Sequence, residues 1–181
     1  MRILFSNAGK RTYLIEYALK IKIKRKLIDI FITDTNRETA AFQVSTKTKN
    51  FITPYVSKYP KKYINELFKI CKKNKIHIVI PLMDYEIPLL SKNKKKFDSI
   101  NTKLLVPDIN IVMNCFNKKK NYFFCLKNNI TAPKTFFHKA SDLKYPIIQK
   151  NIFGSAGTDQ IIINNKSDLK NFNGSKHLLQ K

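Results

Sequence analysis

A chain of 181 residues with 43% hydrophobic and 12% aromatic residues, four glycines and seven prolines suits one ordinary domain; it is too short for two large ones and too apolar for a disordered segment. The longest apolar runs, such as 76–82 and 161–163, fall far short of the roughly 20 residues of a membrane span, and the opening "RILFS" is too short for a secretory signal. The expected setting is therefore the cytoplasm, with no membrane partner. The net charge of +23, from 35 basic and 12 acidic residues, raises nucleic acid as a partner, and "KIKIKRK" (20–26) and "KNKKK" (92–96) could supply phosphate affinity. Lys far outnumbers Arg, and Ile and Asn are abundant; this is the pattern of A/T-rich coding sequence, so nucleic acid is the less favoured partner. Cys71, Cys115 and Cys125 form no CxxC pair, and His77, His138 and His177 have no second ligand type at metal spacing, so reduced thiols and no protein-held metal are expected.

In chain order, "RILFS" (2–6) predicts a strand, "NAGKR" a turn, and "TYLIEYALK" a helix with Leu14, Ile15, Ala18 and Leu19 at helical spacing. "LIDIFIT" (27–33) is a second strand ending at Asp34, and "NFITP" (50–54) a third. "YPKKYINELFKICKKNK" (59–75) is an amphipathic helix begun by Pro60, with Tyr63, Leu67, Ile70 and Cys71 on one face. "IHIVIPL" (76–82) has the continuous apolarity of a strand buried on both faces, "DYEIPLLSKNKKKF" (84–97) is one helix opened by acids, and "TKLLVP" (102–107) a fifth strand. Alternating strands and helices imply an α/β, Rossmann-like parallel sheet. The pattern changes near 107–116. "NKKKNYFFCLKNNI" (117–130) is a helix with Tyr122, Phe123, Cys125 and Leu126 as its apolar face; after Pro133 come the short strands "TFFH", "PIIQK", "QIIIN" and "KHLLQK", with "KSDLKNF" (166–172) as a helical turn or two. Two domains follow, 1–112 and 113–181.

"SNAGKRT" fails as a P-loop, because Leu4 stands where the first Gly belongs and Arg11 where Ser or Thr should follow Lys10. As a dinucleotide fingerprint it keeps only Gly9, with Asp34 in the place of a ribose-binding acid, and a purely structural strand-to-helix turn explains it better. Asp84 and Glu86 directly follow a buried strand, where open α/β sheets place ligands; they are either substrate-side carboxylates or caps of the next helix. In "YPIIQKNIFGSAGTDQIII" (145–163), Lys150 ends a strand and Gly154, Ser155, Ala156 and Gly157 form a loop. Glycines allow close backbone approach to anionic oxygens and the ammonium neutralises them, so a triphosphate is the natural ligand; a hairpin loop needing Gly for geometry alone is the alternative.

Taken together, "NKKKNYFFCLKNNITAPKTFF", "YPIIQKNIFGSAGTDQIII" and "HLLQK" resemble the ATP-grasp superfamily, with its NDKxxxxxFLKxNGIPTPKT helix, its Lys-ended strand, its glycine-rich phosphate flap and its strand ending in Gln-Glu. "ILFSNAGKRTYLIEYAL" and "YINELFKICKKNKIHIVIPLMDYEIPLLSKN" resemble the pre-ATP-grasp domain of proteins like the carbamoyl-phosphate synthase large subunit. The resemblance implies an incomplete α+β ATP-grasp subdomain after the first sheet. It also implies that Lys118 and Lys150 contact ATP phosphates and base edge, that Gly154, Ser155, Ala156 and Gly157 form the flap, and that Gln180 stands beside the adenine hinge. Asn117 replaces the usual Asp, Asn151 the frequent Pro, and Lys181 the hinge Glu. The family's Mg2+ ligands and acyl-phosphate arginine have no counterpart here, so the expected protein is the amino-terminal part of a carboxylate–amine ligase, truncated or split and inactive alone, whose partners are ATP and a polypeptide supplying the rest. A basic nucleic-acid-binding module and a non-catalytic scaffold subunit are the alternatives.

Overall fold

A computed structural model describes residues 1–23, 26–139, 143–154, 157 and 160–181. The chain separates into two compact units, Met1–Ile109 and Asn110–Lys181. In the first, β1 (Arg2–Ser6) leads through a turn at Gly9 into α1 (Thr12–Lys20); a small antiparallel hairpin of β2 (Lys22–Ile23) and β3 (Lys26–Leu27) follows, then β4 (Asp29–Asp34), β5 (Lys49–Ile52), α2 (Pro60–Asn74), β6 (Ile78–Pro81), α3 (Ile87–Lys92), α4 (Lys94–Asp98) and β7 (Lys103–Leu104). The five main strands form one parallel sheet in the order β5-β4-β1-β6-β7, so the α/β parallel architecture expected from the alternating pattern is present.

Period-two alternation explains why this sheet is covered on both sides. Leu4, Phe31 and Val79 turn to one face and pack with Tyr63, Ile64, Leu67, Ile70 and Cys71 of α2. Ile3, Phe5, Ile30 and Ile32 turn to the other and pack with Ile15 and Ala18 of α1. Helix α2 starts with proline in its first turn, where a missing N–H costs nothing, and stops at Lys75, whose φ of 49° is left-handed.

Several expected elements are redrawn. The segment 84–97 is not one helix: a 3-10 turn, Asp84–Glu86, precedes α3, and Asn93 separates α3 from α4. The Asn93 side chain donates to the Leu89 carbonyl at 2.8 Å and its N–H bonds back only to Leu90 at 2.9 Å, which tightens the turn and interrupts the helical ladder. The second strand begins at Asp29, because Lys26 and Leu27 belong to the hairpin. Strand β7 is two residues long, since the Val106 N–H turns back to the Leu104 carbonyl at 2.9 Å.

A helix the sequence reading missed, α5 (Ile109–Phe116), has all but its first residue in the second unit, which continues with α6 (Lys118–Lys127). Strands β8 (Thr135–Phe136), β9 (Ile147–Asn151), β10 (Ile161–Ile163) and β11 (His177–Gln180) form an antiparallel sheet in the order β10-β9-β11-β8. Its core of Leu143, Ile147, Ile163, Leu169 and Leu179 is flanked by Phe136, Tyr145 and Phe172. The apolar face expected of α6 does not enter a core: no residue of the helix is buried, and Phe123 and Leu126 are 51% and 50% exposed. Tyr122 and Phe123 instead lay their rings against Phe137, with centroids 5.8 and 5.5 Å away.

Candidate functional site

Pairing in the second unit sorts residues onto two faces. Partners across an antiparallel ladder share a face, so the pairs Thr135–Gln180, Leu178–Lys150 and Gln180–Ile148 lie together, opposite the core residues Ile147 and Leu179. Strand "IIQKN" thus presents Lys150 away from the core while Gln149, one residue earlier, is buried. The Lys150 Nζ donates to Gln180 Oε1 at 2.6 Å, and Gln180 Nε2 donates to Thr135 Oγ1 at 3.2 Å.

Lys118 reaches the same region from the start of α6. Asn117 caps that helix by accepting the Lys120 N–H at 3.0 Å. The Lys118 N–H donates to the Ile152 carbonyl at 2.9 Å and a bridge joins Asn117 to Phe153, fixing the helix start to the end of β9. The Lys118 Nζ then donates to the Gly154 carbonyl at 2.9 Å. Burial, and after it the positive charge of Lys150, hold the Lys118 ammonium below the ordinary lysine range. Among the described residues neither ammonium is in an ion pair. Two like charges with no counter-ion among the described residues, beside a glycine loop, are suited to an anion.

In that loop Gly154 has φ +137° and Gly157 φ +70°, values that suit glycine. Among the described residues a Cβ on Gly154 would meet only Lys118 Nζ, at 4.0 Å, so the demand seen there is conformational. Ser155 and Ala156, the other residues of the expected flap, lie outside the described residues. The structure therefore brings Lys118, Lys150, Gly154 and Gln180 together, and adds Thr135, which sequence reading did not single out.

Asp84 and Glu86 belong to the first unit and have different surroundings. Asp84 is exposed at the start of its 3-10 turn. Glu86 is fully buried, accepting from the N–H groups of Leu82 and Met83, both at 3.1 Å, from Asn7 Nδ2 at 2.9 Å and from the Tyr63 hydroxyl. This network fills the carboxyl ends of β1 and β6, where the strand order reverses. Burial pushes the Glu86 carboxyl above its usual range, partly offset by hydrogen bonds from Tyr63 and Asn7; burial, and then the Glu86 charge, push the Tyr63 phenol up. Asp34 is also engaged locally, accepting from the N–H groups of Gly9 and Thr35, each at 2.7 Å, which ties the first turn to the end of β4. Among the described residues no three His, Cys, Asp or Glu side chains are grouped to hold a metal ion, and no helix is long and apolar enough to cross a membrane.

A family model described as "PylC-like, N-terminal domain" matches residues 3–105. Among solved structures, an L-amino acid ligase from Bacillus licheniformis aligns over 99% of this chain and 43% of its own, with 14% identity and a TM-score of 0.69. N5-carboxyaminoimidazole ribonucleotide synthetase from Thermotoga maritima aligns over 99% and 45%, with 18% identity and a TM-score of 0.62. The biotin carboxylase domain of 2-oxoglutarate carboxylase from Hydrogenobacter thermophilus, solved with MgADP, ADP and bicarbonate, aligns over 99% and 44%, with 13% identity and a TM-score of 0.69. At these identities the likeness is one of fold, and the chain spans less than half the length of the structures it matches. No curated protein matches the sequence.

Proposed function

Because the chain belongs to the PylC-like N-terminal-domain family, matched over residues 3–105, we propose that it is the amino-terminal part of an ATP-grasp carboxylate–amine ligase of the carbamoyl-phosphate synthase-like kind. In this proposal residues 1–112 act as the pre-ATP-grasp domain and 113–181 as the beginning of the ATP-grasp domain. Lys118, Lys150 and the loop from Gly154 to Gly157 meet the ATP phosphates, and Gln180 stands at the adenine end. The observation that carries the proposal is the closeness of two ammonium groups, Lys118 on the Gly154 carbonyl and Lys150 on the Gln180 amide, neither of which is in an ion pair among the described residues. A triphosphate would supply the missing negative charge, and its oxygens would replace Gly154 as the acceptor for Lys118. Fold likeness to ligases and to an ADP-bound carboxylase domain supports the same reading.

In the whole protein, ATP would phosphorylate a substrate carboxylate and an amine would attack the acyl phosphate, with most of the catalysis coming from positioning and charge neutralisation. The described residues contribute binding and orientation of the phosphates. Among them no three His, Cys, Asp or Glu side chains are grouped to hold a metal ion, and in this reading the Mg2+ that accompanies ATP is met by the remainder of the ligase. The carboxylate partner and its amine are left to the remainder of the ligase.

The test is a titration of the 15N-labelled 181-residue chain with AMP, ADP and ATP. Amide shifts centred on Lys118, Lys150, Gly154 and Gly157, with affinity rising with phosphate number to the order of 1 mM for ATP, about 4 kcal/mol, are expected. Shifts centred on Asp84 and Glu86, or indifference to phosphate number, would refute the assignment.

A further inference from the structure

We propose that Thr135 is a positioning residue for Lys150, acting through the Gln180 amide. The inference rests on the same face being the ATP phosphate site, but its geometry stands independently of the nucleotide.

The donor and acceptor roles leave one orientation. A lysine ammonium only donates, so the atom of Gln180 facing Lys150 at 2.6 Å must be the carbonyl oxygen. The Gln180 NH2 group is thereby turned the other way, to Thr135 Oγ1 at 3.2 Å. The Thr135 hydroxyl gives its single proton to the Pro133 carbonyl at 2.8 Å, which leaves its lone pairs to accept from Gln180. The relay thus runs in one direction, from Lys150 to Gln180 to Thr135 to the Pro133 carbonyl.

The strands hold this relay rigidly. Thr135 and Gln180 are register partners across β8 and β11, and Leu178, the partner of Lys150, precedes Gln180 by two residues on the same face. Thr135 is 8% exposed, so water does not readily replace its hydroxyl. Lysine carries its charge on a flexible four-carbon stem, and the neighbouring Lys118 charge repels it. A fixed amide oxygen holds the Lys150 Nζ against both tendencies before any anion arrives. The side chain of Gln180 is thereby engaged in holding the lysine.

The experiment follows the Gln180 side-chain amide and the Lys150 15Nζ resonance in the 181-residue chain, with ATP as the probe, in Thr135→Val, Thr135→Ser, Gln180→Met and the double variant Thr135→Val/Gln180→Met. Thr135→Val is expected to shift the Gln180 amide protons, mobilise Lys150 and weaken ATP about fivefold, the loss of one ordinary hydrogen bond. Thr135→Ser should restore all three, and the double variant should be no weaker than Gln180→Met, because both substitutions cut one relay. Unchanged Gln180 resonances in Thr135→Val, even with lowered thermal stability, would overturn the proposal by leaving Thr135 a structural role only. Failure of serine to rescue, or additive losses in the double variant, would overturn it as well. Absence of ATP binding by the wild-type chain would count against the phosphate site, while the Gln180 and Lys150 resonances would still decide the relay.

Discussion

Replacing Glu86 by leucine should cost the first unit about 3 kcal/mol, and replacing it by glutamine no more than about 1 kcal/mol. Four donors converge on the wild-type carboxylate, from Leu82, Met83, Asn7 and Tyr63. Two of them keep other partners in the leucine variant: the Leu82 N–H also bonds the Ser6 carbonyl at 3.0 Å, and Asn7 Nδ2 also donates to the Tyr63 oxygen at 3.1 Å. The Met83 N–H and the Tyr63 hydroxyl proton lose their acceptor. Each such buried donor costs about 1–3 kcal/mol, offset in part by removal of a buried charge. Glutamine keeps an oxygen for the two main-chain donors, and the Tyr63 hydroxyl can accept from its NH2 group while turning its own proton to the Ser6 hydroxyl, which is buried and within its reach. Urea denaturation is the assay: at an m-value of about 1–3 kcal/mol/M the leucine variant should lose roughly 1–3 M in midpoint. A pH series adds a second check. Burial raises the folded carboxyl above its unfolded value near 4.5, so the folded state binds the proton more tightly; stability should fall as pH rises through that window and be flat below it. The glutamine variant should lack this slope. A leucine variant as stable as wild type, or a glutamine variant as damaged as leucine, would refute the account of the network.

Gly174→Ala should destabilise the second unit by about 2–4 kcal/mol, because its Cβ would lie 2.0 Å from the Phe137 carbonyl oxygen; earlier proteolysis of that unit checks it. Cys71, buried and pushed up to about 12, should resist a thiol reagent at pH 8 until the chain unfolds, whereas exposed Cys115 should react at once; mass spectrometry of the labelled sites reads the order. Retention on DNA, favoured by the net charge of +23, should vanish between low salt and ~0.2 M and show no sequence preference; specific binding that survives that salt would revive a nucleic-acid role.

The parallel sheet was legible because strands such as "RILFS" and "IHIVIPL" are apolar on both faces and alternate with helices whose apolar residues recur at helical spacing. Helix α5 carried the same signal, with Ile109, Val112, Met113 and Phe116 at spacings of three, four and seven, but its β-branched residues and asparagines masked it. The break at Asn93 was hidden because it depends on where one side-chain amide finds a carbonyl. In the second unit, "IIQKN" and "HLLQ" announced strands, but their register alone puts Lys150, Gln180 and Thr135 on one face. A threonine in a short strand after proline has no sequence signature of function; its role emerges from the hydrogen bonds. The exposure of α6 was illegible for the opposite reason, since aromatic residues at helical spacing normally mark a buried face.

The most direct test of the phosphate site is calorimetric titration of the 181-residue chain with ATP, comparing wild type with Lys118→Ala, Lys150→Ala, Gly157→Val and, as a control in the other unit, Glu86→Gln. The expected result is wild-type affinity on the order of 1 mM, at least tenfold weaker binding in each of the first three variants, and no change in the control. Binding that survives loss of both lysines, or that is lost in Glu86→Gln while the lysine variants bind normally, would contradict it.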